Sequence, residues 1–531
     1  MRLINTNTLE LEHFVGAQVP AYAILSHTWE EDELTDQDLA NPKLASQKRG
    51  FAKVKETCRL ARQTGIDYAW VDTCCIDKTS SAELSEAINS MFRWYASAVV
   101  CYAYLADLNA ENPVDAEDPT SQFARCRWFT RGWTLQELIA PTTVEFYDQE
   151  WTLCGTKATL SRAISALTRI DEEVLCDSAV LFGLPIARRL SWAAHRQTTR
   201  LEDVAYSLLG ICDVNMPMLY GEGENAFIRL QEEIVKETND MTLFAWQAVA
   251  AGQTQNNQSG PHKHHGLFAN SPAEFADAHD ILQGLNLMFN EEFSMTNKGV
   301  RIKTKLGKGL AGPILRLNCY REGDSAQKLG VRLAYVGGGT YVRHKPEKLA
   351  VAAEWYDQRP HPSTPDGTIY IRKRISQALS AQAKHRSCPA IRCRHGFGKP
   401  GIDVMPGSIK GIPESLWDKQ NRSFLTRGLS YFAGLLTVST FPNSGFRYVV
   451  CGISDNSPPW AAFLDESRKD KISPVTWDAS RIYDLPKDMM LSRKPVFGRP
   501  RPTHLSISVS LEEGTGKQEP MYCIDIVEEH G

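Results

Sequence analysis

A chain of 531 residues, 42% apolar and 23% charged, has the balance of an ordinary folded protein and the length for roughly two or three domains. Lys plus Arg is 59 against 63 for Asp plus Glu, so the net charge of −4 excludes the basic surplus of a general nucleic-acid binder, though a local basic pocket for a phosphate is still allowed. The N-terminal MRLINTNTLELEHF lacks the apolar core of a secretory signal, and the longest apolar candidate, residues 99–105, is far short of the ~18 residues of a membrane helix. The thirteen cysteines are irregularly spaced, and Cys58, Cys101, Cys212 and Cys451 sit inside apolar runs. Buried free thiols in a reducing compartment, and so a cytoplasmic protein with no membrane or nucleic-acid partner, are the expectation.

The first 150 residues alternate strand and helix signals. YAILS (22–26) is a short apolar strand, and after Gly50 a helix places Phe51, Val54, Cys58 and Ala61 on one face. DYAWVD (67–72) is a second strand. Ser80 to Glu83 is a capping-box signature, followed by Leu84, Ile88, Met91 and Tyr95 at helical spacing. AVVCYAY (98–104) is a third strand, and the helix in RWFTRGWTLQELIAP ends near Pro141 before a fourth strand, TVEFY (143–147). Such alternation predicts a parallel, doubly wound α/β sheet over residues 1–150.

Residues 151–249 read as a helical extension: Leu160, Ile164 and Leu167 share a face, Thr199 and Glu202 form a second capping box, and Phe227, Leu230 and Ile234 line another helix. The polar run 250–265 (AAGQTQNNQSGPHKHH) is a linker by composition. From 266 to 531, short β-rich segments punctuated by Gly, Asn and Pro predict one or two sandwich-like subdomains, among them FSMTNKGVRIKTKL, PILRLNCY, TIYIRKR, YFAGLLTVSTF and FRYVVCGI.

No phosphate loop, H-E-x-x-H or G-x-S-x-G motif is present. LYGEG (219–223) has paired glycines but no preceding strand, so a turn and helix start is the better reading. His385, Cys388, Cys393 and His395 are four conceivable zinc ligands, yet their spacing fits no closed site and a loop with unrelated thiols is preferred; His262, His264 and His265 are expected to be solvated. No metal and no resident cofactor are expected.

More information lies at the predicted strand ends, where open parallel sheets bind ligands. Ser26, His27, Thr28 and Trp29 follow the first strand, and Asp72 to Asp77, with Cys74 and Cys75, follow the second. A ligand site and simple packing under loops are both open. RWFTRGWTLQELIAP adds Glu137 one helical turn from Trp133, roughly opposite Leu135 and Ile139. Arg127 and Arg131 lie upstream, so an ordinary Glu–Arg ion pair is a second reading of the same residues.

YAILSHTW, GFAKVKETCRLARQTGIDYAWVDTCCIDK, INSMFRWYASAVVCYAYL and RWFTRGWTLQELIAP resemble, in order, the motifs of the fungal heterokaryon-incompatibility (HET) domain, and ARRLSWAAHRQTTRLEDVAYSLLGICDVNMPMLYGEGENAFIRLQEEI is similar to the helical segment that commonly follows it. The resemblance covers less than half the chain, and neither the nucleotide-binding switch domain nor the repeats of larger family members are found here. It implies fungal self/non-self recognition and a cell-death response. HET domains are also considered distant relatives of TIR domains, flavodoxin-like α/β units of which some cleave NAD. In that comparison RGWTLQEL is similar to the TIR W-x-L-x-E-L segment and Glu137 matches the catalytic glutamate. Ser26 to Trp29 fall on the loop lining the nucleotide pocket, and Asp72 matches more loosely.

What the resemblance implies is an enzyme using Glu137, with Ser26, His27, Thr28, Trp29, Asp72, Arg131 and Trp133 around NAD or a related nucleotide. Breaking the nicotinamide–ribose bond passes through an oxocarbenium-like state with a neutral leaving group, so a single carboxylate, an aromatic wall and fixed donors suffice. A second reading is a non-enzymatic module that self-associates while the β-rich half senses an unidentified protein partner. A third is a cysteine hydrolase using Cys74 or Cys75 with His27 and an Asp.

Overall fold

The computed structural model describes residues 1–376 except 110–117, 119, 250–263, 285–291, 310–311, 338 and 357–366, and thereafter the segments 390–397, 409–412, 414–418, 422–426, 432–439, 446–454, 457–464, 490–491, 493–496, 503–512 and 521–530. In the N-terminal unit, strands β1 (Arg2–Asn5), β2 (Leu11–His13), β3 (Tyr22–His27), β4 (Tyr68–Trp70), β5 (Val100–Tyr104), β6 (Val144–Tyr147) and β7 (Leu153–Thr156) form one sheet in the order β2-β1-β4-β3-β5-β6-β7. The four strands expected from the sequence are β4, β3, β5 and β6, and they run parallel. Antiparallel β1, β2 and β7 extend both edges. These three are short and half-polar, as edge strands tolerate, and carry no alternation strong enough to read.

Short helices α1 (Asp36–Leu39) and α2 (Pro42–Ala45) lead into α3 (Gly50–Gln63), which buries Val54, Cys58 and Ala61, and α4 (Ser81–Ser97) buries Ile88, Met91 and Tyr95. Ser80 caps α4 by accepting from the Glu83 amide, but Glu83 closes no reciprocal box: its carboxylate takes the Asp77 amide and Arg2 instead. The chain leaves β3 for β4 on one side and returns over it to β5 on the other. The connections therefore diverge between β3 and β5, where such sheets open a crevice at their carboxyl ends.

Helix α5 (Thr134–Ile139) precedes β6, and α6 (Ser161–Thr168), α7 (Glu172–Cys176), α8 (Ile186–Ser191), α9 (Asp203–Tyr206), α10 (Leu209–Cys212) and α11 (Asn225–Glu237) form the helical extension. The expected Thr199/Glu202 capping box is not formed. The Glu202 carboxylate accepts from the amides of Gly221 and Gly223, and so closes the LYGEG turn, where both glycines have positive φ (103° and 57°).

The region after 264 is β-rich, with an eleven-stranded, a six-stranded and a five-stranded sheet among the described residues. Residues of the last two sheets share a core built on Ile391, Cys393, Phe424, Phe432, Val449, Cys451 and Ile524. A larger core runs from Leu3 through the helices to Ile371. Of the expected linker, 250–263 lie outside the described residues. His264 is not solvated: it pairs in a strand opposite His344 and is buried there, with the two rings 5.1 Å apart. Cys393 is a buried core thiol, while His262, His385, Cys388 and the His395 side chain lie outside the described residues.

Candidate active site

Central strand β3 is buried along its whole length, and its end carries the first part of the site. Ser26 accepts a hydrogen bond from the indole N–H of Trp128 at 2.7 Å and donates to Glu137 Oε2. Trp128 is locked edge-on against Phe129 and Phe146, so its N–H is aimed rather than sampled. Tyr95, from α4, bonds the Leu25 carbonyl at 3.0 Å and also the Glu137 carboxyl. Every residue of α5 from Thr134 to Ile139 is buried, so Glu137 has no solvated face and is 6% exposed. Burial pushes its carboxyl up to about 8; the Ser26 bond opposes this, the Asp72 charge adds to it, and Tyr95 and Arg196 oppose it further. At neutral pH the group is mainly protonated.

A second cluster lies beside the first. The Trp29 indole, half exposed at 51%, donates to Asp72 Oδ2 at 2.8 Å, and the Lys78 ammonium sits 3.7 Å from its ring centre. His27 is buried, with neither ring nitrogen hydrogen-bonded; its Nε2 is 3.8 Å from both Asp72 and Glu33. Burial and the Lys53 charge pull the imidazole down to about 3, so it is neutral. Thr28 is buried, and its carbonyl accepts from Lys53 at 3.4 Å, while Lys53 pairs with Glu33. Burial raises the Asp72 carboxyl as well, against the pull of Lys78 and Trp29.

The structure thus brings Ser26, His27, Thr28, Trp29, Asp72 and Glu137 to one end of the sheet. Trp133 is not brought to the Glu137 carboxyl: its indole bonds Asp203 in the helical extension. Arg131 reaches Thr199, and Arg127 faces Glu30 and Asp107, so neither forms the ion pair with Glu137 that the sequence allowed. The tryptophan beside Glu137 is Trp128, and the arginine acting on it is Arg196. Trp128 lies in the same motif as Glu137, but its contact is made through Ser26, which no sequence spacing reveals.

A buried Trp-to-Ser-to-Glu relay should be sensitive to loss of one N–H. Trp128→Phe is therefore expected to lower turnover of any substrate processed by Glu137 more than Trp133→Phe does, and Trp133→Phe to act mainly on the melting temperature through Asp203. Equal turnover losses would reject the distinction.

Lys157 was invisible to sequence reasoning. It is buried, and its ammonium donates to the carbonyls of Leu138 and Ile139 at 3.3 and 3.4 Å and to that of Pro141, closing the C-terminus of α5. Burial pulls it down to about 8. Lys157→Met would leave these carbonyls unpaired and is expected to cost about 3 kcal/mol in chemical denaturation; a loss below about 1 kcal/mol would show the carbonyls are satisfied otherwise.

The cysteine-hydrolase geometry is not favoured. Cys74 is buried, and hydrogen bonding with Cys75 together with burial pushes its thiol well up, while the Cys75 sulfur accepts the Val71 amide. Among the described residues no group of His, Cys, Asp and Glu is arranged to hold a metal ion.

Residues 22–116 match the family described as heterokaryon incompatibility protein (HET). Over that segment the chain is similar to HET domains. It is 48% identical over 227 residues to the vegetative incompatibility protein HET-E-1 of Podospora anserina, a stretch that covers 42% of this chain and 17% of that relative. The chain thus spans well under two thirds of that relative's length. Residues 225–306, from α11 past the hairpin at 293–303, match a domain of unknown function, DUF8212. No solved structure matches the chain. Ser26, His27, Trp29 and Asp72 fall inside the matched 22–116, whereas Glu137 and Trp128 lie just beyond it. No helix among the described residues is long and apolar enough to cross a membrane.

Proposed function

We propose that this protein acts in fungal self/non-self recognition and that its HET unit, read as TIR-like, breaks the nicotinamide–ribose bond of NAD with Glu137 as the catalytic group. The observation that carries the reading is the Glu137 carboxyl, desolvated and aimed by Ser26 at the carboxyl end of β3, beside the divergence between β3 and β5. A perturbed, buried carboxyl at such a point is the pattern of a working site rather than of a solvated helix face.

The chemistry asks little more. The bond from C1′ to the nicotinamide nitrogen breaks, its electron pair leaves with the neutral nicotinamide, and water adds to C1′ and releases a proton. Ionised Glu137, poorly solvated, would stabilise the positive charge that develops on the ribose more strongly than an exposed carboxylate could. A cationic nicotinamide ring entering the site would itself favour that ionisation. His27, neutral and with both nitrogens free, offers one donor and one acceptor to ribose hydroxyls, and Trp29 offers an exposed aromatic face at the mouth. The partition into 1–150, 151–249 and 266–531 is retained as part of the proposal, with the β-rich region as the sensing part.

Incubating the full-length protein with NAD and measuring released nicotinamide tests the reading directly. Release that rises with pH and levels off above about 8 is expected. No release by the folded wild type would overturn the enzymatic reading in favour of a HET unit that signals by self-association.

A further inference from the structure

Arg196 comes from the helical extension, not from the sheet that carries the rest of the site. One of its nitrogens, Nη1, donates to the Arg131 carbonyl at 2.8 Å and to Thr134 Oγ1 at 3.0 Å, and Nε reaches the Trp192 carbonyl at 3.3 Å. Its Nη2 is buried and has no hydrogen-bond partner. The backbone on either side is tied down: the Gln197 amide donates to Thr130 at 2.7 Å, the Gly132 amide donates to Gln197 at 2.8 Å, and Arg131 and Gln197 form a parallel bridge. The strap packs closely on Gly132, where a Cβ would lie 2.5 Å from the Thr198 methyl. Residues 196–199 are in effect a strap across the N-terminal end of α5.

An orphaned guanidinium nitrogen in a buried place is costly unless some state of the molecule uses it. The groups acting on the Glu137 carboxyl are Ser26 from β3, Asp72 from beyond β4, Tyr95 from α4 and Arg196 from the strap, with the Cys101 thiol of β5 at the Glu137 carbonyl. Among them Arg196 brings the positive charge. We propose that Arg196 is the positioning residue of this site, supplying from the helical extension the positive charge that favours Glu137 as an anion, so that the strap sets the pH at which the HET unit becomes competent. Geometry agrees: Nη1 is bonded to Thr134, which lies three residues before Glu137 on α5 and so at a neighbouring position of the same helix face.

This rests on the proposed role of Glu137, but its decisive measurement does not require turnover. In full-length protein the protonated Glu137 carboxyl has a carbonyl infrared band that Glu137→Gln removes, and the band can be titrated. In Arg196→Gln the band is expected to persist to a pH higher by about one unit or more, the scale of losing one nearby opposite charge. Arg196→Lys should restore most of the wild-type midpoint. If the wild type releases nicotinamide, the rising limb of its pH profile should move by the same amount in Arg196→Gln, with the high-pH plateau largely kept. Should Arg196→Gln fail to fold, the lysine variant decides alone: a midpoint moved by less than about one unit while the strap bonds are lost supports a charge role. A lower melting temperature with an unmoved Glu137 midpoint in Arg196→Gln, or a midpoint in Arg196→Lys displaced by several units, would overturn the proposal. If the wild type shows no turnover, the infrared titration still decides the Arg196 question by itself.

Discussion

Glu137→Gln is expected to fold, to bind the dinucleotide and to lose about 10²-fold or more of its nicotinamide release, the scale seen when one preorganised electrostatic group is removed. Gln keeps the acceptor for Ser26 and the shape of the side chain, so packing around α5 is preserved. The same substitution has a distinct signature in stability. Burial raises the folded-state carboxyl from 4.5 to about 8, so between those values the native protein holds a proton that the unfolded chain has released. Wild-type stability therefore falls as pH rises through this window, and the penalty is complete above about 8. The Gln variant lacks that fall and should be the more stable protein above pH 8 by a few kcal/mol, at about 1.4 kcal/mol per pH unit. Below pH 4.5 the two should converge. Melting temperature and nicotinamide release measured on one preparation separate the roles: wild-type NAD cleavage by the folded variant would sink the catalytic assignment.

Arg343→Met carries the largest expected loss of stability. The guanidinium is 1% exposed, donates to the carbonyl of Phe244 at 2.9 Å and to that of Trp246, and lies 3.7 Å from the Trp246 ring centre. Phe244 and Trp246 close the helical extension, and Arg343 stands on the strand Thr340–His344 of the β-rich region, so one side chain joins the two. Methionine fills much of the volume but leaves two buried carbonyls unpaired, at a cost of about 3–5 kcal/mol. Burial also pushes the nearby Glu274 carboxyl up to about 7, and Arg343 restrains it. Without Arg343 that carboxyl rises further, so the native state retains its proton to higher pH and the destabilisation should be greater at pH 8.5 than at pH 5.5. Urea unfolding at both values checks this. A loss under about 1 kcal/mol at either would mean the junction does not depend on the guanidinium.

Much of this arrangement was already written in local pattern. The strands β3, β4, β5 and β6, the helices α3 and α4, and the end of α5 before Pro141 follow from apolar periodicity, β-branched and aromatic runs, a capping serine and a proline, all of which act over a few residues. The placing of Ser26 to Trp29 and Asp72 at one sheet end follows from strand–helix alternation. The motif resemblance singled out Glu137. These features are local because backbone propensity, capping and the spacing of apolar residues along one strand or helix are set by its own residues.

Contacts between distant segments were decided by tertiary structure. Spacing suggested Trp133 and Arg131 as companions of Glu137, because on an isolated helix neighbours one turn apart are the available partners. In the folded chain α5 is buried on every side, and its partners are whatever the surrounding elements deliver: Ser26 and Tyr95 from the unit itself, Trp128 through Ser26, Arg196 from a strap more than fifty residues on, and Lys157 at the far end. Glu202 left its expected cap for the glycine turn at 221–223 because two unsatisfied amides there needed an acceptor. By itself the sequence determined which segments are strands and helices and which polar residues end them. Which polar group meets which was decided only when desolvation on burial made every unpaired donor, acceptor and charge find a partner across the chain.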